Sequence, residues 1–383
     1  MIERIKLQQA IQIGLAGNPG VVLLGPRQCG KTTLARQVGA EAEAKFFDLE
    51  HPDDAAALDQ PMLALESLRG LVVLDEVQRR PELFPVLRVL MDRPEVPTRF
   101  LLLGSASPHV VRGVTESLAG RVAFVDMQGF HLGEVGADNE SLLWQRGGFP
   151  RSYLAADDAL SLAWRADFIR TFIEKDIGAM GLGSTSSSLG KLWRMSAHYH
   201  GQTFNASEIG RSLGESYKSV QRHLEMLEAA FMLRMLPPWF ENLGKRLVRS
   251  PKLYVRDSGL FHALMGVNDR DSLLSHPKLG ASWEGFAMEQ ILAMMPRTEA
   301  WFWGTQAGAE LDLFVMPEGK RVGFEFKVAD APRMTRSMGA ALEDLKLDHL
   351  IVVKPRGDGY ALAPKIKVMA LPAALAYAAE IRG

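Results

Sequence analysis

Residues 25–32 read GPRQCGKT and directly follow the apolar run VVLL at residues 21–24. The run is short and ends in glycine, which predicts a buried strand, and the TLARQVGA that comes next predicts a helix. The order strand, glycine-rich loop, helix is the context that the phosphate-binding pattern G-x-x-x-x-G-K-[ST] requires. Glycines let backbone N–H groups surround a phosphate, and the helix N-terminus adds partial positive charge. The stretch therefore predicts a nucleotide site after the first strand.

Individual positions of this loop have separate chemical tasks in that interpretation. Lys31 would neutralise the β- and γ-phosphates of ATP, and the Thr32 hydroxyl would ligate Mg²⁺. A plain glycine-rich turn is the alternative, but the motif is complete and its context is right. The residues predicted to hold the nucleotide are Gly25, Pro26, Arg27, Gln28, Cys29, Gly30, Lys31, Thr32, Thr33 and, from a second strand, Asp75.

That second strand is predicted by LVVLDEVQ at residues 71–78, in which four apolar residues precede two acids. Asp75 would bind Mg²⁺ through water, and Glu76 would polarise the attacking water. A solvated strand end is the alternative for the acid pair. Beside a complete phosphate-binding loop, the pair favours ATP hydrolysis.

Two further strands extend the predicted sheet. RFLLLGSAS at residues 99–107 ends near Ser105, whose side chain could sense the γ-phosphate or belong to a serine-rich turn. Arg121 precedes the next apolar strand, and a ring ATPase needs an arginine that reaches the γ-phosphate of its neighbour. Arg121 is the first candidate and Arg112 the second, while an arginine that merely flanks a strand is the alternative. Alternating strands and helices predict a parallel sheet covered by helices on both faces.

Length and composition set the outer limits. The 383 residues predict two to three domains, and 47% hydrophobic and 23% charged residues are values of globular proteins. We expect a cytoplasmic protein, because no apolar stretch is long enough to cross a membrane, no signal peptide is evident and the chain has one cysteine. The net charge of −1 means that nucleic acid would have to bind local basic patches.

Several stretches carry a family resemblance. LLGPRQCGKTTLARQ, LVVLDEVQRRPELFPVLRVLMD, FLLLGSASP, ESLAGRV and RGGFP together resemble prokaryotic AAA+-type ATPases that carry a C-terminal nuclease-like domain. The resemblance runs through the whole chain. With the patterns that follow, it implies an α/β chain of four parts: a P-loop AAA+-type ATPase domain at 1–135, a helical lid and linker at 136–190, a winged helix-turn-helix-like region at 191–247 and a PD-(D/E)xK nuclease-like domain at 248–383.

The middle region has the pattern of a winged helix. KLWRMSAHYHGQTF and ASEIGRSLG predict helices, YKSVQRHLEMLEAAF predicts a longer helix, and FMLRMLPPW predicts a strand. Basic and polar residues of the longer helix would face DNA, and a basic stretch after it could line a nucleic-acid path. Packing between subunits is the alternative. The residues in question are Lys218, Ser219, Arg222 and His223 on the helix and Lys245, Arg246, Arg249 and Lys252 after it.

The C-terminal third contains a predicted hairpin, AELDLFVMPEGKRVGFEFKV at residues 309–328, whose turn is Pro-Glu-Gly. If the glutamate and glycine are the two turn residues, Asp312 falls opposite Glu325, and Lys327 shares the face of Glu325. Two opposed carboxylates repel each other unless a cation lies between them, and Mg²⁺ takes such ligands. The three residues therefore suit metal-assisted phosphodiester cleavage.

This arrangement resembles the PD-(D/E)xK nuclease core, in which an upstream helix adds another acid. Glu284, in the predicted helix WEGFAMEQILAMM at residues 283–295, matches that position. The chain has Glu-Leu-Asp where the family name quotes Pro-Asp. Both an active nuclease and an inactive version that grips DNA remain open.

Together the patterns predict an ATP-hydrolysing motor or remodelling protein that acts on DNA, with branched or damaged DNA among the candidates, as a ring-like homo-oligomer with ATP and Mg²⁺ as cofactors. A hexamer is one form that such a ring takes. The alternative is an NTPase switch of a signalling or defence system, and the pair Asp75-Glu76 argues against a mere scaffold. The predicted catalytic residues are Glu76, Ser105, Arg121, Glu284, Asp312, Glu325 and Lys327, and the predicted metal ligands are Thr32, Asp75, Asp312 and Glu325.

Overall fold

The computed structural model describes residues 2–93, 98–105, 114, 116–176, 186–240 and 247–382. These residues form two compact units. The first unit runs to Phe130 and includes residues 225–231, and the second takes the other described residues from His131 onward.

The first unit is built on one five-stranded parallel sheet in the order β2-β3-β4-β1-β5. Its strands are β1 (Gly20–Gly25), β2 (Lys45–Asp48), β3 (Gly70–Asp75), β4 (Thr98–Ser105) and β5 (Val122–Asp126). Its helices include α1 (Ile5–Gly17), α2 (Lys31–Glu41), α3 (Pro52–Ala57), α4 (Pro61–Glu66) and α5 (Leu83–Met91). The predicted parallel sheet is therefore confirmed.

The central strands of this sheet are buried on both faces. Successive residues of β1 enter different core clusters, with Val22 and Leu24 in one and Val21 and Leu23 in the other. Because strand side chains alternate, the two clusters cover the two faces of the sheet. The sequence accordingly shows a continuous apolar run here and no alternation with polar residues.

Parallel pairing brings the carboxyl ends of the strands to one edge. Gly25, the last residue of β1, pairs in register with Ser105, the last residue of β4. Strand β4 lies between β1 and β3, and β3 ends at Asp75. The three stretches predicted to form the nucleotide site therefore meet at the same edge of the sheet.

The middle of the chain is mainly helical. Its helices are α6 (Leu132–Val135), α7 (Glu140–Arg146), α8 (Pro150–Tyr153), α9 (Asp158–Thr171), α10 (Ser186–His198), α11 (Ala206–Leu213) and α12 (Tyr217–Ala229). An antiparallel sheet of order β6-β8-β7 accompanies them, with strands β6 (Gln202–Thr203), β7 (Leu233–Leu236) and β8 (Lys252–Val255).

Local signals explain where these helices begin and end. The Asn205 side chain accepts hydrogen bonds from two N–H groups at the start of α11, and Gly214 ends that helix with a φ of 69°. One sequence prediction is too long, because the helix expected to run through residues 191–204 ends at His198. Gly201 has a φ of 75°, which a helix cannot contain, and the chain continues into β6.

The RGGFP stretch, which carries part of the family resemblance, has a packing role in the second unit. Gly147 has a φ of 75°, and a Cβ at this position would lie 2.1 Å from Oδ1 of Asp257. The N–H of Gly148 donates a hydrogen bond to Oδ2 of the same carboxylate at 2.7 Å. Glycine is therefore required for the close approach of the aspartate.

A six-stranded mixed sheet of order β13-β14-β12-β11-β10-β9 completes the second unit. Its strands are β9 (Ala300–Gly304), β10 (Glu310–Val315), β11 (Val322–Phe326), β12 (His349–Lys354), β13 (Tyr360–Ala363) and β14 (Ile366–Ala370). The helices are α13 (Ser258–Met265), α14 (Arg270–Leu274), α15 (Leu279–Met294), α16 (Arg336–Asp344) and α17 (Leu371–Ile381). None of the helices in the described part of the chain is both long and apolar enough to cross a membrane.

The hairpin of β10 and β11 has the predicted register. Leu313 pairs with Phe324, as expected if the turn consists of Glu318 and Gly319. Both turn residues have positive φ, 50° and 81°, which matches the right-handed twist of the strands in a two-residue turn. The turn residues therefore fixed which side chains lie opposite each other.

Candidate active site and a second carboxylate cluster

The loop between β1 and α2 adopts a backbone shape that suits a phosphate cradle. Gly30 has a φ of 99° and Gln28 a φ of 60°, the latter in a region that non-glycine residues rarely adopt. Gly25 has no room for a side chain, because a Cβ there would lie 2.1 Å from the Met127 carbonyl oxygen. The Cys29 side chain is buried in the core, so only its backbone is available to a phosphate.

Lys31 is held inside this loop by neutral groups. Its Nζ donates hydrogen bonds to the carbonyl oxygens of Gly25 at 3.1 Å and Pro26 at 2.8 Å, and the residue is only 5% exposed. No side chain caps the N-terminus of α2, and the first N–H groups of a helix have no partner within it. A lysine bonded to peptide carbonyls and an uncapped helix N-terminus both favour an incoming anion. These groups fit the phosphates of a nucleotide.

Thr32 and Asp75 join the loop to the end of β3. The Thr32 hydroxyl donates a hydrogen bond to Oδ2 of Asp75 at 2.7 Å, and the N–H of Glu76 donates to Oδ1 at 2.9 Å. Burial raises the pKa of Asp75, and the hydrogen bond from Thr32 opposes this rise. A hydroxyl and a carboxylate in contact are oxygen ligands of the type that Mg²⁺ prefers, so both residues fit a magnesium ion beside the phosphates.

Glu76 follows Asp75 in a left-handed conformation, with a φ of 56°. The side-chain amide of Gln78 donates a hydrogen bond to Oε2 of Glu76. The Gln78 amide oxygen is itself buried with no hydrogen-bond partner among the described residues. Sequence reasoning missed Gln78, because an amide two residues after an acid belongs to no general motif.

Ser105 lies where the sequence placed it, at the end of the strand between β1 and β3. Its register partner is Gly25, the residue that opens the phosphate-binding loop. The side chain is half-buried. Its role as a sensor of the γ-phosphate stays a prediction.

Arg121 lies at the opposite edge of the sheet from the loop. The N–H of Gly20, the first residue of β1, donates to the Arg121 carbonyl, and five residues of strand span about 16 Å. Its guanidinium bonds both oxygens of Asp92, Nε at 2.6 Å and Nη2 at 2.7 Å, and these bonds lower the pKa of Asp92. A role for Arg121 at a neighbouring subunit stays a prediction, and Arg112 lies outside the described residues.

The predicted residues of the C-terminal hairpin come together. Asp312 Oδ2 accepts a hydrogen bond from the Phe326 N–H at 2.9 Å, and Lys327 Nζ lies 2.8 Å from Glu325 Oε1. Asp312 and Glu325 are buried, and Oε2 of Glu325 has no hydrogen-bond partner within the described chain. Helix α15 adds Glu284, as the sequence predicted.

Lys252 stands among these acids, and its predicted role is wrong. The sequence suggested that it lines a nucleic-acid path, but its side chain is only 2% exposed. Its Nζ lies 3.2 Å from Glu284 Oε1 and 3.6 Å from Asp312 Oδ1, and it also contacts the carboxylate of Glu310. Tyr254, two residues along β8, donates a hydrogen bond to Glu284 Oε1 at 2.6 Å. The sequence could have indicated that Lys252 is buried, because the other residues of its strand, KLYV, are apolar or aromatic.

Burial dominates the electrostatics of this cluster. It raises the pKa of Glu284 to about 7 and that of Glu325 to about 8, and in both cases the charge of Asp312 adds to the rise. Within the described ranges, no group of three or more His, Cys, Asp or Glu side chains is arranged to hold a metal ion. The predicted metal ligands Asp312 and Glu325 stay a prediction.

The predicted DNA-facing residues of α12 divide into two groups. Lys218 and Arg222 are exposed, whereas His223 is only 1% exposed and points into the core, so its predicted role is wrong. Burial lowers the pKa of the His223 imidazole, which keeps it neutral near pH 7. Lys245 and Arg246 lie outside the described residues.

Three protein families match parts of this chain. An AAA domain family matches residues 17–136. Two domains of unknown function match later parts of the chain, DUF8612 at residues 139–271 and DUF4143 at residues 279–374. The AAA match spans all five strands of the parallel sheet and the phosphate-binding loop.

Two relatives match nearly the whole chain. They are the uncharacterized proteins Rv2008c of Mycobacterium tuberculosis and Mb2031c of Mycobacterium bovis, each 47% identical over 373 residues, which is 97% of this chain and 84% of the relative. Among solved structures, the Walker-type ATPase paby2304 of Pyrococcus abyssi is 16% identical with a TM-score of 0.49, covering 69% of this chain and 96% of its own. Cdc6p of Pyrobaculum aerophilum is 11% identical with a TM-score of 0.30, covering 69% and 93%.

Proposed function

The chain belongs to the same family as the two mycobacterial proteins, its first unit is an AAA-type P-loop ATPase domain, and we propose that it hydrolyses ATP and acts on DNA as a ring-like homo-oligomer. The observation that carries the ATPase part is the convergence of Lys31, the uncapped N-terminus of α2 and the Thr32–Asp75 pair at one sheet edge.

Each of these groups has a task in binding. Bound Mg²⁺, held by Thr32 and through water by Asp75, would offset the charge of the β- and γ-phosphates. Lys31 exchanges its two carbonyl partners for phosphate oxygens, which bind a cation more strongly because they are charged. The N–H groups of the loop and of the first turn of α2 bind the remaining phosphate oxygens.

Glu76 is the residue that orients the attacking water in this proposal. Its left-handed backbone is of the strained kind that proteins retain at functional sites. The Gln78 amide holds the Glu76 carboxylate from one side, which restricts its orientation. Gln78 is therefore a positioning residue for Glu76 in this proposal.

The proposed DNA contact rests on the middle of the chain. Helix α10, strand β6, helices α11 and α12 and the hairpin of β7 and β8 follow one another as in a winged helix. In such modules the second helix of the pair enters the major groove. Lys218 and Arg222 are exposed one turn apart in the first half of α12, where they would meet phosphates or base edges.

The C-terminal sheet enters the proposal as a nuclease-like domain. Helix α15, strands β9, β10 and β11, helix α16 and strand β12 follow the order that the PD-(D/E)xK resemblance implies. Its acids lie on neighbouring strands and on the preceding helix. This order of elements supports a fold related to that of nucleases. DNA cleavage is not part of the proposed function.

The ring is proposed from the family resemblance, since ring ATPases bring an arginine to the γ-phosphate of a neighbouring subunit. Arg121 lies at the opposite edge of the sheet from its own loop, so it could act only between subunits. Arg121→Ala should therefore keep ATP affinity and lose hydrolysis. Mixing Arg121→Ala subunits with Glu76→Gln subunits should restore part of the ATPase rate, since some mixed interfaces combine an intact Glu76 with an intact Arg121. If the rate does not recover at any mixing ratio, Arg121 does not act at the γ-phosphate of a neighbouring subunit.

The main experiment measures the ATPase rate with single-stranded, duplex and forked DNA. We expect at least one DNA form to stimulate the wild-type rate several-fold and to leave Glu76→Gln inactive. A rate that none of the three forms changes would contradict action on DNA. That result would favour the alternative, an NTPase switch of a signalling or defence system.

A further inference from the structure

The cluster of acids in the second unit already contains a cation of its own. Lys252 and Tyr254 are two residues apart on β8, so their side chains point to the same side of the strand, where both contact Oε1 of Glu284. The Lys252 ammonium also lies 3.6 Å from Asp312 Oδ1 and contacts Glu310. A lysine this deeply buried requires opposite charges around it. The acids supply them.

The carboxylate oxygens that a metal would need are mostly engaged. A Mg²⁺ ion requires six oxygen ligands in a nearly ideal octahedron. On the three acids predicted from the nuclease resemblance, three of the six oxygens already accept a hydrogen bond, and a fourth, Oδ1 of Asp312, lies 3.6 Å from the Lys252 ammonium. The three that accept are Oε1 of Glu284, Oδ2 of Asp312 and Oε1 of Glu325.

The local charge also disfavours a divalent ion. Four carboxylates, those of Glu284, Glu310, Asp312 and Glu325, lie beside two ammonium groups, Lys252 and Lys327. Lys252 contacts three of the four acids, so a divalent ion bound to them would lie next to its ammonium. Like charges repel strongly in a buried site.

We propose that Lys252 takes the place of the divalent cation in this cluster, so that the second unit keeps a nuclease-like fold but does not cut phosphodiesters. The lysine holds α15, β8 and β10 together through their carboxylate and phenol groups. The inference goes beyond the proposed ATPase and does not depend on it, because all of its groups belong to the second unit.

The first test is a calorimetric titration of the full chain with Mn²⁺ in the absence of nucleotide. Asp75→Asn removes any binding at the ATPase site, and Glu325→Gln removes any binding at the cluster. We expect wild type and Glu325→Gln to give the same isotherm. A binding step that disappears in Glu325→Gln but persists in Asp75→Asn would overturn the proposal, and so would Mn²⁺-dependent DNA cleavage that Glu325→Gln abolishes.

The second test removes the internal cation. Lys252→Met keeps the length of the side chain and deletes its charge. With Asp75→Asn in every chain compared, so that the ATPase site binds no metal, Mn²⁺ should raise the melting temperature of the Lys252→Met variant by several degrees and leave the chain that keeps Lys252 unchanged. The gain should disappear in Lys252→Met/Glu325→Gln. An equal rise in the chain that keeps Lys252 would contradict the proposal. If Lys252→Met does not fold, the wild-type titration still decides, and normal ATP hydrolysis separates this result from a failure of the ATPase proposal.

Discussion

Lys31 of the first unit and Lys252 of the second are both buried, but their ammonium groups have opposite surroundings. Lys31 bonds two neutral carbonyls of its own loop, at 2.8 and 3.1 Å. Lys252 lies among carboxylates, 3.2 Å from Glu284 and 3.6 Å from Asp312. The positive charge of Lys31 is therefore uncompensated by these contacts, whereas that of Lys252 is balanced.

This contrast separates a binding site from a structural one. A buried charge that meets only neutral dipoles is stabilised further when an anion arrives. A buried charge with carboxylate partners has no such need, and removing any member leaves the others uncompensated. Removing the charge of Lys31 should therefore abolish function, and removing the charge of Lys252 should mainly alter stability.

The largest expected effect is at Lys31. Lys31→Ala should reduce ATP hydrolysis by at least about 100-fold, because the β- and γ-phosphates lose their charge-assisted partner. Steady-state phosphate release measures the effect. Lys45→Ala, which removes an exposed lysine of the same unit, is the control and should leave the rate unchanged. A rate for Lys31→Ala within a few-fold of the wild-type rate would refute the claim that Lys31 binds the β- and γ-phosphates.

Glu76 should give the next largest effect. Glu76→Gln should bind ATP with nearly wild-type affinity and turn it over about 100-fold more slowly, since an amide cannot accept a proton from water. Nucleotide binding and phosphate release are measured on the same preparation. Glu82→Gln, an exposed carboxylate in the same unit, serves as the control. Turnover by Glu76→Gln at the wild-type rate would show that another group activates the water.

A smaller effect is expected at α12. Lys218→Ala/Arg222→Ala should weaken duplex binding about 10-fold and reduce the dependence of log affinity on log salt by about 2, because two phosphate contacts are lost. Arg36→Ala/Lys45→Ala removes the same charge from the first unit and is the control. Equal weakening by both pairs would indicate that general charge, not α12, sets DNA affinity.

The smallest effect concerns pH and the second unit. Because burial and Asp312 raise the pKa of Glu325 from 4.5 to about 8, the folded protein holds a proton that the unfolded chain releases between these values. Stability should therefore fall as pH rises from 4.5 to 8. Glu325→Gln cannot release that proton and should gain on the order of 1 kcal/mol relative to wild type by pH 8.

Urea denaturation at pH 5, 6.5 and 8 measures this difference. Glu318→Gln, in the exposed turn of the same hairpin, is the control and should follow wild type at each pH. A difference between Glu325→Gln and wild type that does not grow with pH would mean that Glu325 is already ionised in the fold, as expected if a divalent cation neutralised it.

The parts that could be predicted from the sequence depend on short-range rules. The phosphate-binding loop lies within eight residues, and the positions of Asp75 and Ser105 follow from the rule that parallel strands end at one edge. The register of the hairpin, in which Leu313 pairs with Phe324, followed from the two-residue turn between the strands. In each case the local chain geometry fixes the relation.

The parts that could not be predicted depend on contacts between distant elements. Lys252 meets acids from α15 and β10, and Arg121 meets Asp92, 29 positions earlier in the chain. A charged residue in the stretch KLYV gives no sign of which acids will surround it. His223 is a second example. Helical spacing predicts which face of α12 is apolar, but not how much of the rest of the helix surface is covered by neighbouring elements.

Calorimetric titration of Mg-ATP into the full chain decides whether Lys31 binds the phosphates of the nucleotide. Glu76→Gln provides a background without turnover. We expect one ATP bound per chain in Glu76→Gln and no measurable binding in Lys31→Ala/Glu76→Gln at the same concentrations. Equal binding by the two variants would contradict the account, because Lys31 would then contribute nothing to holding the phosphates.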